Sequence, residues 1–128
     1  MKYLLDTHTY YWWNDDPSRL PQPVATILES TEHELLLSIV IPWELAIKTG
    51  RGSMDAMQLL RDFERRETAA GFIVVSPTAS QAIRSGLLAH HHKDPFDRLL
   101  AAQALDLNIP LLSRDAIFDQ YGVRRIWD

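Results

Sequence analysis

Lys2-Tyr3-Leu4-Leu5-Asp6-Thr7-His8 opens the chain with an apolar run that stops on a carboxylate. A short apolar run without polar alternation reads as a strand covered on both faces, the central-strand pattern of a parallel sheet. In open α/β sheets ligands gather at the carboxyl ends of strands, where Asp6 falls. Asp is also a common cap for a helix that follows a strand, and on this stretch alone the cap is the commoner use.

The same theme recurs along the chain, with β-like runs alternating with helical patterns and no internal repeat or linker. An aromatic helix is expected over His8 to Asn14, where Tyr10, Tyr11, Trp12 and Trp13 cannot all face one core, so at least one should be partly exposed. Pro21 to Thr31 reads as a helix with Val24, Ile27 and Leu28 inward, and Glu34 to Val40 as a second buried strand. A helix then starts near Pro42, placing Glu44 in its first turn, where Glu favours the helix dipole and pairs with Lys48 at i+4. Met54 to Ala70 reads as one amphipathic helix, Phe72 to Val75 as a third strand, and Thr78 to His90 as a helix with Ala82, Ile83, Leu87 and Leu88 inward. Ile109 to Ser113 is a further apolar strand, followed by Arg114-Asp115 and a short turn with Ile117, Phe118 and Tyr121. Val123 to Trp127 closes the chain as an edge strand.

With 128 residues the chain fits a single domain over 1–128, large enough to bury a core. It has no cysteine, so a metal would be held by oxygen or imidazole. The amino terminus is neither a signal peptide nor a membrane span, which leads to the expectation of a soluble, cytoplasmic protein without membrane contact. A formal charge of -4 argues against bulk electrostatic grip on nucleic acid and leaves room for local basic patches.

Lys93-Asp94-Pro95-Phe96-Asp97-Arg98 followed by Leu99-Leu100-Ala101-Ala102-Gln103-Ala104-Leu105 is the most specific stretch. Asp94 fits an N-cap, Pro95 the first helical position and Asp97 the third, which reads as a capping box with Asp in place of Glu. The helix body is apolar nearly all round, so its two opening carboxylates stand where desolvation is costly unless a cation compensates. His90-His91-His92, by contrast, is expected not to bind metal, because consecutive residues at a helix end diverge and paired His ligands need i, i+4 spacing. Asp6 and Asp115 each follow a buried strand, and Glu44 and Asp97 each sit near a helix start. Four carboxylates converging at one end of a parallel sheet would suit Mg²⁺ or Mn²⁺, and such sites suit phosphodiester hydrolysis.

Together, Leu4-Leu5-Asp6-Thr7-His8, Ser38 with Trp43-Glu44-Leu45-Ala46-Ile47-Lys48, His92 to Ala104 and Leu112-Ser113-Arg114-Asp115 resemble a PIN-domain ribonuclease. More narrowly they resemble the VapC-type toxins of toxin-antitoxin pairs, in the Asp-Pro-Phe-Asp-Arg subgroup. The resemblance covers essentially the whole chain. It implies a three-layer α/β/α sandwich with a central, mostly parallel sheet, and endonuclease activity on RNA that depends on Mg²⁺ or Mn²⁺. The family's acidic quartet falls on Asp6, Glu44, Asp97 and Asp115, and its small hydroxyl on Thr7. Asp94 is assigned to capping, with Ser113 and Asp119 as supporting candidates. Lys48, Lys93, Arg98 and Arg114 are candidates for RNA phosphate contacts, with ordinary surface pairing the alternative for each. The resemblance further implies a homodimer held silent by a small antitoxin, with the exposed part of Tyr10 to Trp13 as its contact. Two rivals stay open: an aspartyl phosphatase, which wants a second Asp where His8 stands, and a receiver domain, which wants an early acidic pair and a late strand-end lysine. A housekeeping nuclease with no toxin role is the nearer alternative.

Overall fold

A computed structural model describes residues 1–128, and its centre is a five-stranded, all-parallel sheet in the order β3-β2-β1-β4-β5. In chain order the elements are β1 (Lys2–Leu5), α1 (Thr7–Asp15), α2 (Gln22–Glu29), β2 (Glu34–Ser38), α3 (Val40–Gly50), α4 (Met57–Leu60), α5 (Phe63–Ala69), β3 (Ile73–Val75), α6 (Ala79–Leu87), α7 (Pro95–Leu107), β4 (Leu111–Leu112) and β5 (Arg125–Ile126). Short 3-10 turns at Pro17–Arg19 and Ala116–Tyr121 complete the path. From β1 the chain steps to β2 and β3 on one side, then returns to place β4 and β5 on the other. The order therefore reverses at β1, and a crevice opens beyond the carboxyl ends there.

Period-2 alternation sends the strand side chains to two cores. Tyr3, Leu5, Leu35, Leu37 and Leu112 pack with Tyr10, Val24, Ile41, Leu45 and Phe63 on one face. Leu4, Leu36 and Leu111 pack with Leu100, Ala101, Ala104 and Phe118 on the other. Both faces of the sheet are thus covered by helices, which explains why the strands carry no polar alternation. No helix is long and apolar enough to cross a membrane.

Several local expectations are corrected. The single helix over Met54 to Ala70 is two, broken where Asp62 adopts a left-handed backbone at φ 51°, a conformation that Asp tolerates better than most residues. Arg66 supports the break by donating to the carbonyls of Leu59 and Arg61 at the end of α4. α6 stops at Leu87, and Ala82, Ile83 and Leu87 face outward, Leu87 being 82% exposed. Its inner contact is polar instead: Gln81 completes a capping box with Thr78 and donates to Asp106 of α7 at 2.9 Å. α3 begins two residues before Pro42, so Glu44 lies one position past the first turn. The aromatic run after Asp6 divides as expected, with Tyr10 and Trp12 buried and Tyr11 and Trp13 half-buried.

Candidate active site

β1 ends at Leu5, and the next residue, Asp6, donates its backbone N–H to the Leu112 carbonyl of neighbouring β4. Asp6 is buried and caps α1, its Oδ1 accepting from Thr9 N–H at 2.8 Å, while Oδ2 accepts from the Ser113 hydroxyl. The Ser113 Oγ in turn accepts from Asp115 N–H at 3.0 Å, so one hydroxyl at the end of β4 ties two of the acids together. Capping and cluster membership are not alternatives for Asp6: a carboxylate oxygen has lone pairs for both. Burial raises the Asp6 pKa, against the opposing hydrogen bonds from Ser113 and Thr9.

Glu44 reaches the same crevice from α3 and is only 3% exposed. Thr7 Oγ1 donates to its Oε1 at 2.7 Å, and Lys48 Nζ stands 3.0 Å from its Oε2. Asp97 comes from the start of α7. Asp94 is the N-cap there, accepting from Phe96 N–H at 2.8 Å and from Asp97 N–H at 3.4 Å. The reciprocal half of the expected capping box does not form: Asp94 N–H donates to His92 Nδ1, and the Asp97 side chain turns away to His92 Nε2 at 2.8 Å. Asp97 is thus released from capping. Burial, then the charges of Asp94, Asp6, Glu44 and Asp115, push its carboxyl up to about 8. Asp115 sits at the mouth, its Oδ1 accepting from Ile117 N–H and its Oδ2 3.3 Å from His92 Nε2.

His92 enters the site by a route that helical spacing does not describe. α6 ends before the His run, so the three histidines lie in a loop and helical directions do not apply. Its ring nitrogen and oxygens of Asp97 and Asp115 all lie within 4.8 Å of one another. The only hint in the sequence was its place two residues ahead of the Asp94-Pro95 helix start.

The basic candidates divide. Lys48 and Lys93 line a cleft of about 510 Å³ with Glu44, His92 and Asp94, and Arg114 lines another of about 430 Å³ with Asp6 and Asp115. Arg98 points elsewhere: it is buried, and its guanidinium donates to carbonyls of Ser85, Gly86, Leu88, Ala89 and His92. Those carbonyls, left open where α6 ends, occupy the donors that a phosphate would need. Asp119 is likewise outside the crevice, gripping Arg125 through both oxygens, while Arg125 donates to the Ser113 carbonyl at 3.2 Å.

The donors that the four acids offer are oxygens, and negative charge around Asp97 is left without a matching cation beyond Lys48. Mg²⁺ or Mn²⁺ fits such a set, being a hard ion that takes carboxylates. An all-parallel sheet with an acid-lined crevice at its switch point is the class of α/β domain that binds its ligand beyond the strand ends. Residues 3–123 match the PIN domain family model, and the chain belongs to that family. It is a distant homologue of Ribonuclease VapC22 of Mycobacterium tuberculosis, at 26% identity over 113 residues, 88% of this chain and 85% of that protein. The fold matches DNA-bound VapBC from Salmonella typhimurium (TM-score 0.69, 18% identity, 98% of this chain and 97% of that one). It also matches VapBC-1 from nontypeable Haemophilus influenzae (TM-score 0.67, 23% identity, 98% and 97%).

Proposed function

We propose that this chain is an endoribonuclease that hydrolyses RNA phosphodiester bonds with Mg²⁺ or Mn²⁺ and serves as the toxin of a toxin-antitoxin pair, working as one PIN domain over 1–128. The observation that carries the proposal is the convergence of Asp6, Glu44, Asp94 and Asp115 on Asp97 at the switch point of the sheet. Its kinship with a VapC ribonuclease and its fold likeness to toxin-antitoxin complexes support it.

Asp6, Glu44, Asp97 and Asp115 would hold the ion, each met by a partner from the chain: Thr9 and Ser113 on Asp6, Thr7 and Lys48 on Glu44, Ile117 on Asp115, and the His92 ring on Asp97. When bound, Mg²⁺ or Mn²⁺ offsets charge on a scissile phosphate and lowers the pKa of water for attack. In-line attack breaks the bond from phosphorus to the ribose 3′-oxygen and leaves a 5′-phosphate. Lys48 and Lys93 on one side and Arg114 on the other flank the acids where the RNA backbone would run. A homodimer and a small antitoxin complete the proposal. The half-buried Tyr11 and Trp13 keep part of the aromatic run available as the contact, and Trp43, Ile83 and Leu87 are among the exposed apolar residues elsewhere.

The test is cleavage of a single-stranded RNA by purified protein with Mg²⁺ or Mn²⁺, with chelator, and with Asp6→Asn. Cutting that persists in chelator removes the metal mechanism. Expression of the chain should also arrest growth, and a neighbouring reading frame is expected to encode a small antitoxin whose co-expression relieves the arrest; intact cleavage from a harmless chain would leave a housekeeping nuclease.

A further inference from the structure

Resting on the nuclease reading above, we propose that His92 is the positioning residue of the metal site, holding the Asp97 and Asp115 carboxylates in place while its ring stays off the ion. The tautomer follows from its contacts. Asp94 N–H donates to His92 Nδ1 at 3.1 Å, so Nδ1 presents a lone pair. A neutral imidazole has one N–H, which must therefore be on Nε2. Nε2 stands 2.8 Å from Asp97 Oδ2 and 3.3 Å from Asp115 Oδ2, two acceptors facing one donor. A nitrogen that carries a proton has no lone pair for a cation. His92 thus reverses the familiar arrangement, in which a histidine ligates and a carboxylate orients it: here the carboxylates ligate, and the histidine orients them.

The loop is built to keep the ring there. His92 N–H donates to the Tyr121 hydroxyl at 2.9 Å, and its carbonyl accepts from Arg98 at 3.4 Å. Arg98 also spans the carbonyls that end α6, so this guanidinium anchors both the helix end and the His92 backbone. Of the four acids, Asp97 is the one whose carboxylate receives no hydrogen bond from a backbone N–H or a hydroxyl, which leaves His92 as its orienting donor. A first layer of ligands held by such a supporting layer is what a site needs in order to bind without rearranging.

The experiment measures Mn²⁺ affinity by electron paramagnetic resonance on wild type, His92→Ala, His92→Gln and Asp97→Asn. Gln places an amide N–H near the position of Nε2, so it should keep most of the affinity. Ala should lose about tenfold to a hundredfold, the usual cost of removing an orienting partner. Nitrogen-detected NMR of the His92 ring, with and without Mg²⁺, reads the tautomer independently of activity: Nε2–H is expected in both. A ring that loses the Nε2 proton on adding Mg²⁺ is a ligand, which overturns the proposal, as does an Nδ1–H tautomer in the metal-free protein. Equal Mn²⁺ affinity in wild type and His92→Ala, with Asp97→Asn binding lost, overturns this inference and leaves the nuclease reading standing. Absence of Mn²⁺ binding by the wild type removes both.

Discussion

Glu67 and Asp97 are both carboxylates on helices that cover the sheet, and their surroundings are opposite in character. Glu67, 4% exposed on α5, accepts from the Tyr10 hydroxyl and has the Arg66 guanidinium 3.6 Å away. Burial and the Glu67 carboxylate together drive the Tyr10 hydroxyl pKa upward, which keeps that hydroxyl a donor. Asp97 instead has Asp94, Asp6, Glu44 and Asp115 around it. A buried charge is tolerated in a fold when a donor or counter-charge meets it, and is costly otherwise. Folding alone accounts for Glu67. Asp97 has the His92 ring as its one side-chain partner against four neighbouring carboxyl groups, an excess of acid that the proposed cation would offset.

The largest expected effect breaks the comparison by chemistry. Asp97→Asn should cut RNA at less than about a hundredth of the wild-type rate, beyond the loss seen when only a ligand's supporting partner is removed. Glu67→Gln should cut at the wild-type rate. An inactive but folded Glu67→Gln would put the functional acid on the wrong side of the sheet.

Next comes the dependence of stability on pH without metal. Asp97 is raised in the fold to about 8 from an ordinary 3.8, so the folded state holds a proton that the unfolded chain has lost between those values. The stability tied to this proton is complete below about 4 and falls as pH rises through about 8, by at most about 1.4 kcal/mol per pH unit. Urea unfolding at pH 5, 6, 7 and 8 in chelator measures the slope. Asp97→Asn should flatten it, and excess Mg²⁺ should restore wild-type stability at pH 8, by about 2.7 kcal/mol at a hundredfold excess over Kd. A flat wild-type profile would mean that the acids do not press on Asp97.

Glu67→Ala sharpens the same contrast from the other side. It strands a buried Tyr10 hydroxyl, so it should destabilise by about 1–3 kcal/mol at every pH, with no change in the response to Mg²⁺. Thermal melting with chelator and with Mg²⁺ separates the two behaviours.

What could be read in the sequence follows from how local each signal is. Asp6, Asp94 and Asp115 stand at strand ends or helix caps, and such positions are written in a few adjacent residues: an apolar run, then an acid, then a helix start. Buried, unalternating strands likewise announced a parallel sheet. The faces of peripheral helices were not legible, because an apolar stripe on α6 does not say whether it meets α7 or solvent; Gln81 does the meeting, and Ile83 and Leu87 are left outside. Arg98 was misjudged for the same reason, its partners being carbonyls that appear only once α6 has ended. His92 needed the loop geometry that brings its ring back over the start of α7.

The smallest effect tests Asp94, which belongs to both descriptions at once: it caps α7 through Oδ1, and its charge is the largest carboxylate contribution to raising Asp97. Asn caps as well as Asp, so Asp94→Asn should keep the bond to Phe96 N–H and change stability at pH 5 by less than about 0.5 kcal/mol. Removing the charge lowers the folded pKa of Asp97, which shrinks the penalty of the metal-free state at higher pH. The variant should therefore gain on the wild type between pH 5 and pH 8 in chelator. Asp94→Ala, which loses the cap as well, should be displaced downward by about 1 kcal/mol at both values while keeping that relative gain. Urea unfolding of the three proteins at the two pH values decides it. If Asp94→Asn and wild type stay parallel, the Asp94 charge does not reach Asp97, and the residue is a cap alone.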